Sequence, residues 1–139
     1  MKTLPAISLL IVFAQSAFAE ENILNDYFEG SYLLVGKGVD TDHTYTGKVE
    51  IFRDKGSLKL KRTVNGTAIV GSAAIEAALG GDARVLRFRY VEAGKAFEQT
   101  CLWSNDLDNY PRISCYLYEA GGKTMNPGLE VLFHDHTAE

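Results

Sequence analysis

The chain has 139 residues, a formal net charge of −4, two cysteines and three histidines. A mildly acidic balance with no block of like charge argues against nucleic acid as a partner, because phosphates would be repelled. Two cysteines and three histidines are also a poor set for a structural zinc site.

The N-terminus has the layout of a secretory signal. Lys2 supplies the positive end, Leu4 to Phe13 a short apolar run, and Ala17-Phe18-Ala19 a small-x-small cleavage site, so residues 1–19 read as an export signal. The apolar run is shorter than the roughly 20 residues that cross a bilayer core, and no later segment comes closer, so no membrane span is expected. Removal of residues 1–19 takes away only the charge of Lys2 and leaves one domain, 20–139, with 13 basic and 18 acidic side chains. Such a chain buries about two thirds of its unfolded surface without a metal. Glu20, in place of a cysteine, argues against a lipid anchor and for a periplasmic or secreted product.

Glu21 to Glu29 sets Ile23, Leu24, Tyr27 and Phe28 at helical spacing, which predicts a short amphipathic helix on one end of the domain. From Gly30 the period becomes two. Tyr32, Leu34 and Gly36 alternate with Leu33, Val35 and Lys37, and Asp40, Asp42 and His43 mark a loop. A second strand covers Thr46 to Arg53 and turns at Asp54-Lys55-Gly56. The third, Ser57 to Val64, sets Leu58, Leu60, Arg62 and Val64 against Ser57, Lys59, Lys61 and Thr63. It ends in Asn65-Gly66, which suits a type I′ hairpin because both central residues tolerate positive φ. Asn65-Gly66-Thr67 also fits the glycosylation sequon, with turn chemistry the better explanation. A fourth strand returns from Thr67 to Glu76. Ala73 to Leu79 has a helical turn stopped by Gly80-Gly81 as its alternative, and strand followed by turn is preferred.

The fifth strand, Arg84 to Val91, puts Leu86, Phe88 and Tyr90 on one face. The sixth, Ala96 to Ser104, groups Phe97, Gln99, Cys101 and Trp103. After the loop Asn105 to Pro111, a seventh strand covers Arg112 to Glu119 and a last one lies around Leu129 to Phe133. Eight short strands without intervening long helices predict an all-β fold, a single antiparallel up-and-down barrel that closes to remove its edges. A hairpin centred on Asp108 sets Cys101 opposite Cys115, within reach of a cross-strand disulfide, with two buried free thiols as the alternative.

Up-and-down order gathers alternate loops at each end, and Arg62, Tyr90 and Gln99 all fall on inward positions of the upper half. A guanidinium on an apolar stripe needs a partner, since an unpaired buried charge costs several kcal/mol. One reading makes Arg62 the anchor for an anionic head group, with Tyr90 and Gln99 completing the contacts. The other lets Arg62 lean out at the rim or pair with Glu98 or Asp42. The opposite end collects Asp106, Asp108 and His134-Asp135-His136, imidazole and carboxylate groups that could hold a metal, although solvated terminal residues explain them better. Asp40 with Asp42, and Asp106 with Asp108, lack the Gly and later Glu of a calcium loop. No G-x-S-x-G motif, catalytic dyad or cofactor fingerprint is present. Tyr116, Tyr118 and Phe52 fall on outward positions.

Gly30-Ser31-Tyr32, the stretch Tyr45-Thr46-Gly47-Lys48-Val49-Glu50-Ile51 and the Val64-Asn65-Gly66-Thr67 hairpin resemble the lipocalin-like (calycin-like) small secreted barrels of bacteria, above all their uncharacterised periplasmic members. The likeness spans residues 30–133, with Tyr32 where the lipocalin signature has Trp. It implies a barrel with an apolar ligand cavity and carries over no catalytic residue. The leading expectation is a non-enzymatic exported protein binding a small apolar or amphipathic ligand. A protein-interaction module, such as a hydrolase inhibitor, stands second. A barrel enzyme using Asp106, Asp108, His134 or His136 stands last.

Overall fold

A computed structural model describes residues 8–138, with side chains from Ala17 onward. A helix, α1 (Ser8–Phe28), leads into eight strands: β1 (Gly30–Lys37), β2 (Thr44–Asp54), β3 (Ser57–Val64), β4 (Thr67–Ala78), β5 (Ala83–Glu92), β6 (Lys95–Asn105), β7 (Pro111–Glu119) and β8 (Gly128–His134). Each strand pairs antiparallel with the next, and β8 returns to β1 with Leu34 opposite Leu132, so the sheet is a closed barrel. Closure is what lets a chain of short strands leave no unpaired edge. The all-β up-and-down barrel expected from the alternation is the fold observed.

The period-two pattern becomes an inside and an outside. Tyr32, Leu34, Val49, Ile51, Leu58, Leu60, Leu86, Phe88, Ile113 and Leu132 point inward and are almost wholly buried. Eight strands enclose a space that side chains can fill, and here large residues from every wall meet across the axis. Three two-residue turns use the same left-handed pair, Lys55-Gly56, Asn65-Gly66 and Ala93-Gly94, as type I′ hairpins require. Ala73 to Ala78 is strand, and the Gly80-Gly81 turn is a short 3₁₀ segment, Leu79–Gly81.

The helix is longer than the sequence suggested, because the alanine- and leucine-rich run before Glu21 continues helical through Ala17-Phe18-Ala19. Residues 1–7 of the expected export signal lie outside the described residues. Ile23 is exposed rather than part of the packing face, and Asn25 is buried instead, beside Leu24 and Phe28. Phe28 plugs the lower mouth, edge-on to Trp103 at 5.0 Å, and its carbonyl accepts the Tyr32 hydroxyl at 2.7 Å. Arg53 ties the helix end to β2 through Asp26 and Glu29.

Two glycines permit the barrel to curve. A Cβ on Gly47 would stand 2.4 Å from the Thr63 carbonyl oxygen, and one on Gly71 would stand 2.3 Å from that of Arg89. Backbone has to move in either case. Gly47→Ala and Gly71→Ala are each expected to cost about 2–3 kcal/mol in urea unfolding. A loss below about 0.5 kcal/mol at both positions contradicts the close approach.

Cys101 and Cys115 face each other across β6 and β7, bonded, with Cα atoms 4.0 Å apart. Both lie inside the barrel wall, on the face shared with Ile113 and Leu117.

Candidate functional site

The upper third of the barrel interior is polar, and its geometry starts with a missing side chain. Gly36 on β1 lies between Tyr45 on β2 and Glu130 on β8. A Cβ there would be 2.6 Å from the Tyr45 ring, so the ring occupies the space that any other residue would fill. From that position the Tyr45 hydroxyl donates to Glu130 Oε1 at 2.5 Å. Arg62, projecting inward from β3, donates Nε to the same oxygen at 3.1 Å and Nη2 at 2.5 Å. Gln99 on β6 donates Nε2 to the second carboxylate oxygen at 2.6 Å and lies 3.3 Å from the Tyr90 hydroxyl. Both Glu130 oxygens therefore have donors.

Arg62, Tyr90 and Gln99 do converge, as the alternation implied, with the guanidinium carbon 5.4 Å from the Tyr90 ring centroid and as far from that of Tyr45. The expectation that Arg62 leans outward or pairs with Glu98 or Asp42 is overturned. Arg62 is 4 % exposed and its partner is Glu130, 1 % exposed, with Glu92 Oε2 above it at 3.7 Å. Glu98 lies on the outer wall, held by Arg87, Arg89 and Tyr118, and Asp42 meets Lys37 in the loop. Inward burial of a guanidinium is tolerable only with such a partner. Burial by itself lowers the Arg62 pKa, but the hydrogen bonds and charge of Glu130 outweigh it and hold the group above its ordinary value.

Burial, then the Glu130 charge, raises Tyr90 and Tyr45 well above the usual phenol range, and burial does the same for Tyr32. In the unfolded chain these phenols ionise near pH 10. Their contribution is thus complete below pH 10 and is lost as pH rises beyond it, because only the unfolded state then releases the proton. The slope is about 1.4 kcal/mol per pH unit for each buried phenol. Urea midpoints measured from pH 9 to 11 should fall steeply above 10; a flat profile would contradict the burial.

Above this cluster a cleft of about 370 Å³ opens between the β1–β2 loop and the β5–β6 hairpin, lined by Val39, Asp40, Tyr90, Glu92, Phe97 and Leu117 among others. Phe97 stacks on Tyr90 with ring centroids 5.8 Å apart. Asp40 braces the rim by accepting the backbone N–H groups of Met125 and Asn126 at 3.1 and 2.6 Å. Lys95 pairs with Glu119 at 3.5 Å on the opposite lip. Three carboxylates and one ammonium line the cleft, so its own charge is negative.

The lower end joins its acidic and imidazole groups only pairwise. His136 Nε2 meets Asp108 Oδ2 at 2.6 Å, whereas Asp106 is held by Arg112 and Asp135 by Thr137. His134 stacks on Tyr110 at 3.8 Å. Among the described residues no three His, Cys, Asp or Glu side chains are grouped to hold a metal ion. Glu130 and Tyr45 are members of the upper cluster that the sequence left unassigned, Glu130 because Leu129, Val131 and Phe133 alternate around it and make the opposite face of β8 look apolar. The demand of an inward Arg62 for a carboxylate was legible in the sequence, but it led to Glu98 and Asp42 rather than to Glu130.

No family model, curated protein or solved structure matches the chain.

Proposed function

We propose that the protein is an exported, non-enzymatic binding protein of the lipocalin-like kind, and that its ligand sits in the mouth of the barrel rather than along its axis. The cleft over Tyr90, Phe97 and Leu117 carries this reading, since its volume falls in the range of small-molecule sites and its floor is aromatic and apolar. Glu130 already occupies the place beside Arg62 that a ligand carboxylate would take. With Asp40, Glu92 and Glu119 around the opening, a small amphipathic ligand with a neutral or cationic head fits better than a fatty acid.

Displacement of a fluorescent alkylamine and a fluorescent fatty acid should show saturable binding of the amine. Phe97→Ala is expected to weaken it about tenfold, the loss of one stacked aromatic contact worth about 1.4 kcal/mol. Binding of neither probe, together with no copurifying small molecule in native mass spectrometry, defeats the proposal.

A second reading, a protein-interaction module such as a hydrolase inhibitor, is favoured by the lower β6–β7 loop. Leu107 is fully exposed at its tip, while Asp106 accepts the Leu107 N–H, Asp108 accepts the Tyr110 N–H, and Arg112 and His136 fix the two carboxylates. A braced loop with an apolar tip loses little entropy on docking. Inhibition of any of a panel of cell-wall and peptide hydrolases should disappear in Leu107→Asp; inactivity of the unmodified protein against the whole panel excludes it.

A further inference from the structure

We infer that the outer wall of β5 to β8 pairs with the same wall of a second copy of this chain. Leu102, Tyr116 and Leu129 are 64 %, 59 % and 44 % exposed on this wall, and Val35 continues it onto β1 opposite Val131. Leu79, left-handed at φ 52° and 81 % exposed, forms its lower ridge. Leu79, Leu102, Tyr116 and Leu129 border an apolar groove of about 570 Å³. Single exposed apolar residues need no explanation, but a contiguous field of them does.

Three observations select a second copy as the occupant. The first is relief. In the β6–β7 register Leu102 stands beside Ser114 and Thr100 beside Tyr116, so large and small residues alternate across the strands. Such a corrugated surface carries both knobs and holes, as an isologous contact demands of a single patch.

The second is charge. A two-fold contact brings a patch against itself, so any unpaired charge near the axis meets its own sign. The one ionisable carboxylate among the groove residues, Glu130, turns inward to Arg62. At the upper edge Arg87 and Arg89 are already neutralised by Glu76 and Glu98 at 2.7–3.8 Å. Arg112 on β7 pairs with Asp106 at 2.6 Å and Lys37, opposite Leu129, with Asp42 at 3.6 Å, so among the described residues the cations on and beside the wall are balanced in pairs.

The third is area. The exposed parts of Leu79, Leu102, Tyr116, Leu129 and Val35 amount to on the order of 600 Å² before any rim residue is counted, most of the about 800 Å² per partner that a standard stable interface uses. The groove shares no lining residue with the mouth cleft and does not include Leu107.

Sedimentation equilibrium of the protein purified from the producing cell tests this. The expected result is a reversible dimer in the micromolar range. Tyr116→Glu and Leu102→Glu, each introducing a charge that meets its own copy, should raise the dissociation constant at least about thirtyfold with an unchanged circular dichroism spectrum. Val70→Glu, at an exposed apolar position on β4 outside the groove, should leave it unchanged. A monomer at several hundred micromolar overturns the inference. So does a dimer that both wall variants leave intact, or one that Val70→Glu dissociates as readily as they do. If either wall variant is misfolded, crosslinking through Ser114→Cys decides the matter, symmetric disulfide dimers supporting the pairing and their absence refuting it.

Discussion

Glu130→Leu is expected to lower stability by about 3–5 kcal/mol, because it leaves the Arg62 guanidinium buried without its carboxylate. For a domain of this size that is a fall in the thermal midpoint of roughly 10–20 °C. The loss is compounded by Gln99 and Tyr45, whose donors lose their acceptor at the same time. Glu130→Gln keeps an amide oxygen for one of them and should fall between the two proteins. The pair is not itself a large net source of stability, since its attraction is spent largely on desolvating both charges. Hence Arg62→Leu combined with Glu130→Leu should recover at least half of what the single change removes. Calorimetry of the three variants checks this, and a Glu130→Leu protein within about 1 kcal/mol of the parent would show that Arg62 finds another partner.

The Cys101–Cys115 bond should resist dithiothreitol in the folded protein and yield to it within minutes in denaturant. Cys101 is fully buried and Cys115 nearly so, which closes the sulfurs to an attacking thiolate until the strands open. With 14 residues of sequence separation, its loss should reduce stability by about 3 kcal/mol, chiefly by freeing the unfolded chain. Cys101→Ala with Cys115→Ala, compared with the parent in urea, measures the effect. Rapid reduction under native conditions would place the bond at the surface and contradict the packing described above.

The mouth cleft and the interior cluster are distinct in consequence. Arg62 and Glu130 form an internal polar plug that joins β3 to β8 across the barrel, and Tyr90 and Glu92 are side chains common to plug and cleft. A ligand that settled on Phe97 and Tyr90 would therefore rest on a neutralised floor. Under the proposed function, affinity would rest on the aromatic cleft and its rim, and stability on the plug below.

Alternation alone determined the eight strands, the inward set from Tyr32 to Leu117, the opposition of Cys101 and Cys115 and the convergence of Arg62, Tyr90 and Gln99. These follow from a period of two and from hairpin turns a few residues long, both local properties of the chain. Tertiary structure alone decided that Glu130, and not Glu98 or Asp42, meets Arg62, and that Tyr45 crosses Gly36 to join them. It also decided that Leu102 and Tyr116 share one wall with Leu129. The physical reason is barrel closure. It pairs β8 with β1 across almost the whole chain, and no local pattern records which face of a strand with apolar residues at both parities will turn toward a buried charge.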